Sequence, residues 1–478
     1  MAQAFPQRSA CCMTVKAIMP ARFLNLVSPL AHEATDRRTT DTHEQLSLWS
    51  GAVSQPIGDS LRPGDVDSEH RRRTRPTGPG IRTSTTATRT TTTRTTRAGF
   101  ALSADSSPDG APYTFEELVQ AWLDCRRSKR NSASALAFEE RAEANLWALH
   151  EKLSAGAWRP GRSTCFIVTR PKPREVWAAP FPDRIAHHLL YNRIAPRFHA
   201  SFDIASCACI PGRGTLYAAC LLEDEVRSVT QNWQRPAWYL KCDLANFFVA
   251  IDKHILLERL RRKVTEPWWL ELARTILFHD PREDVELRSP PALMAQVPPH
   301  KSLFNAPADM GLPIGNLSSQ FFANVLLDGL DKFARHQLRA RRYVRYVDDF
   351  VLLHESPQRL NDAHRRIAAF LPERLHATLN PAKTILQPVA RGIDFVGHVI
   401  KPWQHTTRRR TFRQALSRIE TLPAREVYAT GNSYLGLVRQ ATHSHTDQAR
   451  IARALLKRGH AVDGDLTRIF RKRSEVVR

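Results

Sequence analysis

Apolar residues first recur at helical spacing in "YTFEELVQAWLDC" (113–125), where Leu118, Trp122 and Cys125 share one stripe. Thr114 and Glu117 form a capping-box pattern there, so a helix starts at that point. A second helix is predicted over about 134–154, ending near Gly156. The period then changes. "CFIVTRPKPREVWAA" (165–179) reads as strand, proline-bounded turn and strand, with Lys172 and Arg174 at the tip. "DRIAHHLLYNRIAPRF" (183–198) returns to helical spacing; its adjacent His187 and His188 cannot both face one metal and read as packing or phosphate-side residues. "WYLKCDLANFFVAID" (238–252) opens as a strand, and "RYVRYVDDFVLL" (342–353) reads as two apolar strands with two aspartates in the turn between them. Farther on, "TTRRRTFRQALSRIETL" (406–422) and "NSYLGLVRQATHSHTDQARIARALLKRGH" (432–460) read as basic amphipathic helices.

Residues 1–112 show little such periodicity, and "RRRTRPTGPGIRTSTTATRTTTTRTTR" (71–97) contains no acidic residue. A segment of this composition cannot bury enough apolar surface to offset its conformational entropy, so a disordered basic Arg/Thr-rich extension is expected. The net charge of +23 and a pI near 10.2 exceed what solubility requires and point to a polyanionic partner such as RNA or DNA. No apolar run approaches the roughly 20 residues of a membrane span, so no membrane partner is expected. The eight cysteines lack a CxxC pair or a zinc-type spacing; reduced, packed thiols and a cytoplasmic setting are the expectation. Cys242, inside an apolar run, reads as a small buried hydrophobe.

The carboxylates change the picture most. Asp252, before "KHILLERL", reads as a helix cap. Asp243, Asp348 and Asp349 would meet if the 342–353 hairpin packs beside the strand at 238. At about 4 Å and an effective dielectric near 20, each like-charge pair costs on the order of 4 kcal/mol, so such a cluster binds protons or cations. Hard, oxygen-seeking Mg²⁺ suits it best, as two ions with Mn²⁺ as a substitute. Two ions stabilise the attacking and departing oxygens of an in-line phosphoryl displacement. An Asp-Asp doublet alone is also an ordinary turn.

The order "DLANFF" (243–248), "GLPIGNLSSQ" (311–320), "YVDD" (346–349), "LNPAKT" (379–384) and "GIDFVGHVI" (392–400) resembles the successive palm motifs of reverse transcriptases. "RPKPREVWAAPFPDRIAHHLL" (170–190) and "GRGTLYAA" (212–219) resemble their fingers motifs, so the likeness spans about 113–400. Within that superfamily, "GLPIGNLSSQ" is most similar to the enzymes of diversity-generating retroelements. The resemblance implies an α+β right-hand polymerase: N-terminal helices and fingers over 113–235, a palm with an antiparallel sheet over 236–400, and a helical thumb with a basic tail over 401–478. It makes Asp243, Asp348 and Asp349 the metal-binding triad with the backbone of Leu244 beside them. Lys172 and Arg174 become triphosphate contacts, Phe248 a steric gate against the ribose 2′-hydroxyl, and Lys383 a proton donor to pyrophosphate.

Gly315 would permit close backbone approach beside the templating base pair, and Ile314, where many relatives have Gln, implies error-prone copying. Gly392 and Gly397 would shape a primer-grip hairpin, and Arg408, Arg409 and Arg410 would contact phosphate. Two departures from the family pattern, Cys in "FDIASCACIPGRGT" (202–215) for an aromatic and Pro182 for an arginine, bear on fingers contacts. The implied activity is RNA-directed DNA synthesis, with template RNA, DNA primer or cDNA and deoxynucleoside triphosphates as partners and room for an accessory protein. Competing readings are an antiphage-defence or retron-like reverse transcriptase copying its own noncoding RNA, an RNA-dependent RNA polymerase, and an inactive RNA-binding scaffold.

Overall fold

The computed structural model describes residues 112–127, 132–169, 172–442 and 444–470, so the Arg/Thr-rich extension expected to be disordered lies outside the described residues. Helix α1 (Phe115–Arg126) begins with the expected reciprocal capping box between Thr114 and Glu117. The predicted 134–154 helix is instead two helices, α2 (Ala133–Glu139) and α3 (Ala142–Ser154). The chain breaks at Arg141 (φ −132°, ψ 46°), and Asn145 Nδ2 bridges the gap to the Phe138 carbonyl. The apolar stripe continues across the break, which is why periodicity alone reads one helix.

Strands β1 (Ser163–Val168) and β2 (Arg174–Ala178) form the expected antiparallel hairpin, and β4 (Val285–Leu287) adds in parallel to β1. Helix α4 (Phe181–His199) follows, then α5 (Thr215–Val229). His187 is buried with Nδ1 against Ser318 Oγ, and burial pushes its pKa down to about 3 and that of His188 to about 4. Both are packing residues.

The central sheet is antiparallel in the order β5-β6-β3-β7, made of β3 (Trp238–Asp243), β5 (Tyr343–Tyr346), β6 (Asp349–His354) and β7 (Ile385–Pro388). Because successive side chains point to opposite faces, Leu240, Cys242, Phe350 and Leu352 pack into one core with helices α8 (Leu317–Lys332) and α9 (Pro357–Leu375). That core also takes α6 (Lys253–Arg261), capped by Asp252 as expected, and α7 (Pro267–Phe278). Tyr239, Val351 and Leu353 face the other way, against α5 and a meander of β8 (Ile393–Phe395), β9 (His398–Lys401) and β10 (Gln404–Thr407). The sheet is therefore covered on both faces. Cys242 is fully buried and its thiol is pushed up to about 12 by burial, as a small hydrophobe should be.

The C-terminal helices α10 (Arg409–Thr421), α11 (Ala424–Val438) and α12 (His445–Lys457) enclose a separate core around Phe412, Ile419, Leu435 and Leu455. The stretch 432–460 thus contains two helices rather than one continuous run.

Candidate active site

Antiparallel pairing places Asp243, the last residue of β3, directly opposite Asp349, the first of β6. Asp348 lies in the preceding two-residue turn, so only one aspartate of the doublet occupies the turn and the other opens the strand. The turn itself is unusual. Val347 has φ of 55°, a left-handed conformation that a β-branched residue adopts only under constraint. Alternation puts Lys241 on the same face as Asp243 and Asp349, and its Nζ is 3.5 Å from Asp349 Oδ2 while donating to the Asp394 carbonyl at 2.9 Å.

These carboxylates feel one another. Burial, then the charges of Asp243 and Asp349, raise the Asp348 pKa to about 6. Burial also raises Asp349, with Lys241 opposing it. Asp243 is nearly buried, and the "LNPAKT" segment folds over it: Lys383 Nζ lies 2.6 Å from Oδ2, Asn380 Nδ2 donates to Oδ1 at 3.3 Å, and the Asn380 N–H donates to the Asp243 carbonyl. Among the described residues, no group of three or more His, Cys, Asp or Glu has its donors arranged to hold a metal ion. Two ammonium groups, Lys383 and Lys241, lie against the carboxylates instead.

The basic hairpin faces the same spot. Burial lowers the Arg174 pKa while Asp348 and Asp243 counteract it, so this guanidinium, at the start of β2, looks onto the aspartates. Lys172 is lowered by burial and then by Lys383, Lys301, Arg174 and Arg410, a gathering of cations beside the aspartates. Lys301, from the turn Pro299–Lys301, was not singled out by sequence; it belongs to no motif and arrives through the chain excursion that also supplies β4.

Other sequence-derived residues land as follows. Leu244 is buried and bridges to Leu379, and Ala245 N–H donates to the Thr378 carbonyl, which ties the end of β3 to the segment bearing Lys383. Phe248 lies in the 3₁₀ turn Phe247–Val249, edge-on to Phe247, and its carbonyl accepts from the Leu312 N–H. Gly315 is needed for close approach, but to the protein's own backbone: a Cβ there would lie 2.6 Å from the Trp177 carbonyl oxygen, and φ is +129°. The Ile314 carbonyl accepts from Trp177 N–H at 2.7 Å, so this segment locks strand β2 against the central unit. Gly397 (φ 92°) forms the β8–β9 turn with Val396, whereas Gly392 (φ 88°) precedes β8 and is not part of that turn. Arg408 is ion-paired to the half-exposed Asp394, while Arg409 and Arg410 are exposed in the first turn of α10.

One network escaped sequence reading. Arg345 is fully buried and pairs bidentately with Asp331 (Nε–Oδ1 2.7 Å, Nη2–Oδ2 2.6 Å). It also donates to Ser206 Oγ, Asn324 Oδ1 and, at 3.0 Å, the Val347 carbonyl. Arg345 thereby fixes the turn that presents Asp348.

A family model described as "Reverse transcriptase (RNA-dependent DNA polymerase)" matches residues 171–400. Protein YkfC of Escherichia coli (strain K12) is 22% identical over 295 residues, covering 54% of this chain and 72% of that protein. Telomerase structures are also similar: that from Candida albicans in complex with a TWJ fragment of telomeric RNA (TM-score 0.40, 13% identity, 63% of this chain and 54% of that one) and apo telomerase from Candida tropicalis (TM-score 0.38, 11% identity, 63% and 57%). The chain spans little more than half the length of those telomerases.

Proposed function

We propose that the reverse-transcriptase-like domain over residues 171–400 is an RNA-directed DNA polymerase, with the β1–β2 hairpin sheet as fingers, the four-stranded sheet as palm and helices α10–α12 as thumb. The observation that carries this reading is the register that sets Asp243 across from Asp349, beside an Asp348 raised to about 6. Such a carboxylate set needs positive charge, and hard oxygen donors suit two Mg²⁺ ions, with Mn²⁺ as substitute, held by the three carboxylates and the Leu244 carbonyl. When bound, the ions supply stabilisation of charge on the reacting phosphoryl oxygens.

The chain's own residues do the rest. Lys383 neutralises Asp243, and its half-exposed Nζ can turn towards a departing pyrophosphate and give up a proton there. Arg174 and Lys172 grip the triphosphate, Arg174 as a planar fork and Lys172 as a point charge. Phe248 stands against a 2′-hydroxyl, and its backbone tie to Leu312 keeps it in register with the 311–316 segment. Ile314 offers the nucleotide no side-chain hydrogen bond, which supports error-prone copying of the kind expected from a diversity-generating retroelement. Template RNA and primer lie across Arg409 and Arg410.

Extension of a DNA primer on an RNA template, with deoxynucleotides and Mg²⁺, tests the reading. Template-dependent cDNA that stops on chelation and is not formed from ribonucleotides is expected. Equal use of ribonucleotides, or no product on any template, would overturn it.

A further inference from the structure

Two tryptophans at the end of the sheet remote from Asp243 have no part in the chemistry above. Trp233 lies in the loop between α5 and β3, and Trp403 in the β9–β10 turn, at the opposite end of the meander from Gly397. Their rings approach with centroids 6.3 Å apart at an angle of 49°, and Trp403 is 59% exposed, an unusual display for the largest apolar side chain.

Both rings are held there against backbone preference. Trp403 has φ of 63°, and Gln231, Asn232 and Trp233 have 49°, 58° and 69° in succession. Bulky residues in the left-handed region cost about 1–3 kcal/mol each and persist only where the surroundings dictate them. They do here: Thr230 Oγ1 accepts from Trp233 N–H at 2.9 Å, the Arg227 carbonyl accepts from Asn232 N–H at 2.8 Å, and Trp233 packs on the core beneath α5.

The two loops that carry the pair hold no acid, and Glu223 of α5 is neutralised by His405 and Arg227. No Asp or Glu occurs between Glu225 and Asp243 or between Asp394 and Glu420, while Lys401 and Arg235 are exposed beside the two rings in sequence. An exposed aromatic face with flanking cations and no unpaired acid in its own loops suits a ligand that offers both π-faces and phosphates. Single-stranded nucleic acid does so, each base supplying a stacking surface whatever its sequence.

We infer that Trp233 and Trp403 form a stacking platform for unpaired RNA, a second contact for the template on the side of the sheet away from the polymerising end. The choice of RNA rests on the proposed function, in which the template is the long polyanion present before synthesis starts. An unpaired base stacks on the exposed face of Trp403, Trp233 backs that ring from beneath, and Lys401 and Arg235 meet the neighbouring phosphates. A contact of this kind keeps a long template bound when its paired end is released.

Binding of a fluorescein-labelled, unstructured 30-nucleotide RNA to the full chain, followed by anisotropy, tests this. Trp403→Ala should weaken binding about tenfold, and Trp403→Phe, which retains a stacking face, should stay within about threefold of wild type. Lys401→Ala should flatten the salt dependence. Trp403 is exposed, and matching thermal melts would show that folding is intact. Extension of a short pre-annealed template-primer should be unchanged in Trp403→Ala. Unaltered RNA binding by Trp403→Ala, including the case where the surface serves a protein instead, would overturn the inference. Asp348→Asn separates the two claims: it should bind the 30-mer normally while losing extension, and retained extension would fault the polymerase assignment without touching the platform.

Discussion

Two ion pairs beside the central sheet do opposite things. Arg345–Asp331 is wholly removed from solvent and every partner is satisfied, with Tyr343 OH donating to Asp331 Oδ1 at 2.8 Å in addition to the bidentate fork. Lys383–Asp243 is also short, but its lysine is 47% exposed and has a single carboxylate to hold it. A buried pair cannot let go, because a lone charge in the interior is far costlier than a paired one. A half-exposed lysine can, since water takes over its solvation. The first pair is scaffold for the turn that carries Asp348, and the second is an exchangeable guard on the carboxylates.

The comparison is broken most severely by neutralising a carboxylate that the scaffold presents. Asp348→Asn should lower the primer-extension rate about a thousandfold with RNA affinity retained, since charge at the reacting centre is lost and nothing else moves. Next, Asp331→Asn should destabilise the fold by about 3–5 kcal/mol by stranding Arg345, read as a fall in urea midpoint. The double replacement Arg345→Met with Asp331→Leu should recover much of that stability; failure to recover would show that the pair shapes the core beyond its charge.

Buried groups that lack a counter-charge sharpen the contrast through pH. His398 is fully buried and its pKa is lowered from the ordinary 6.5 to about 4, by burial and then by His405. Lowered in the folded state, it takes up protons more readily when unfolded. Stability is therefore present above pH 6.5 and lost as pH falls towards 4, by about 3 kcal/mol at about 1.4 kcal/mol per pH unit. Thermal melts at pH 7 and pH 4.5 should show this, with a shallower slope in His398→Leu. A smaller effect on stability is expected at the exchangeable pair: Lys383→Ala should change it by under about 1 kcal/mol yet slow incorporation about a hundredfold. Least of all, Ile314→Gln should leave melting unchanged and reduce errors in sequenced cDNA; equal error spectra would remove Ile314 from the fidelity argument.

Much of this arrangement was legible in the chain. The β1–β2 hairpin, the strand ending at Asp243 and the Asp252 cap all follow from local spacing and turn chemistry, as the structure bears out, whereas the doublet is split, with Asp348 in the turn and Asp349 opening β6. Lys241 could have been found too, because period-2 alternation puts it on the face of Asp243. Other features depend on neighbours far away in sequence. Arg345 in "YVRY" carries no local signal of its role, which depends on Asp331 and Asn324 arriving from α8. Gly315 reads as a turn or a ligand contact until the Trp177 carbonyl is seen against it. The break at Arg141 and the arrival of Lys301 beside Lys172 are likewise matters of packing rather than pattern.

Electron paramagnetic resonance of Mn²⁺, titrated into the protein with a chain-terminated primer on RNA and a matching deoxynucleotide, addresses the carboxylate cluster directly. Bound Mn²⁺ in the wild type and its loss in Asp348→Asn is the result expected of three aspartates that share cations. The same Mn²⁺ occupancy in both proteins would contradict it.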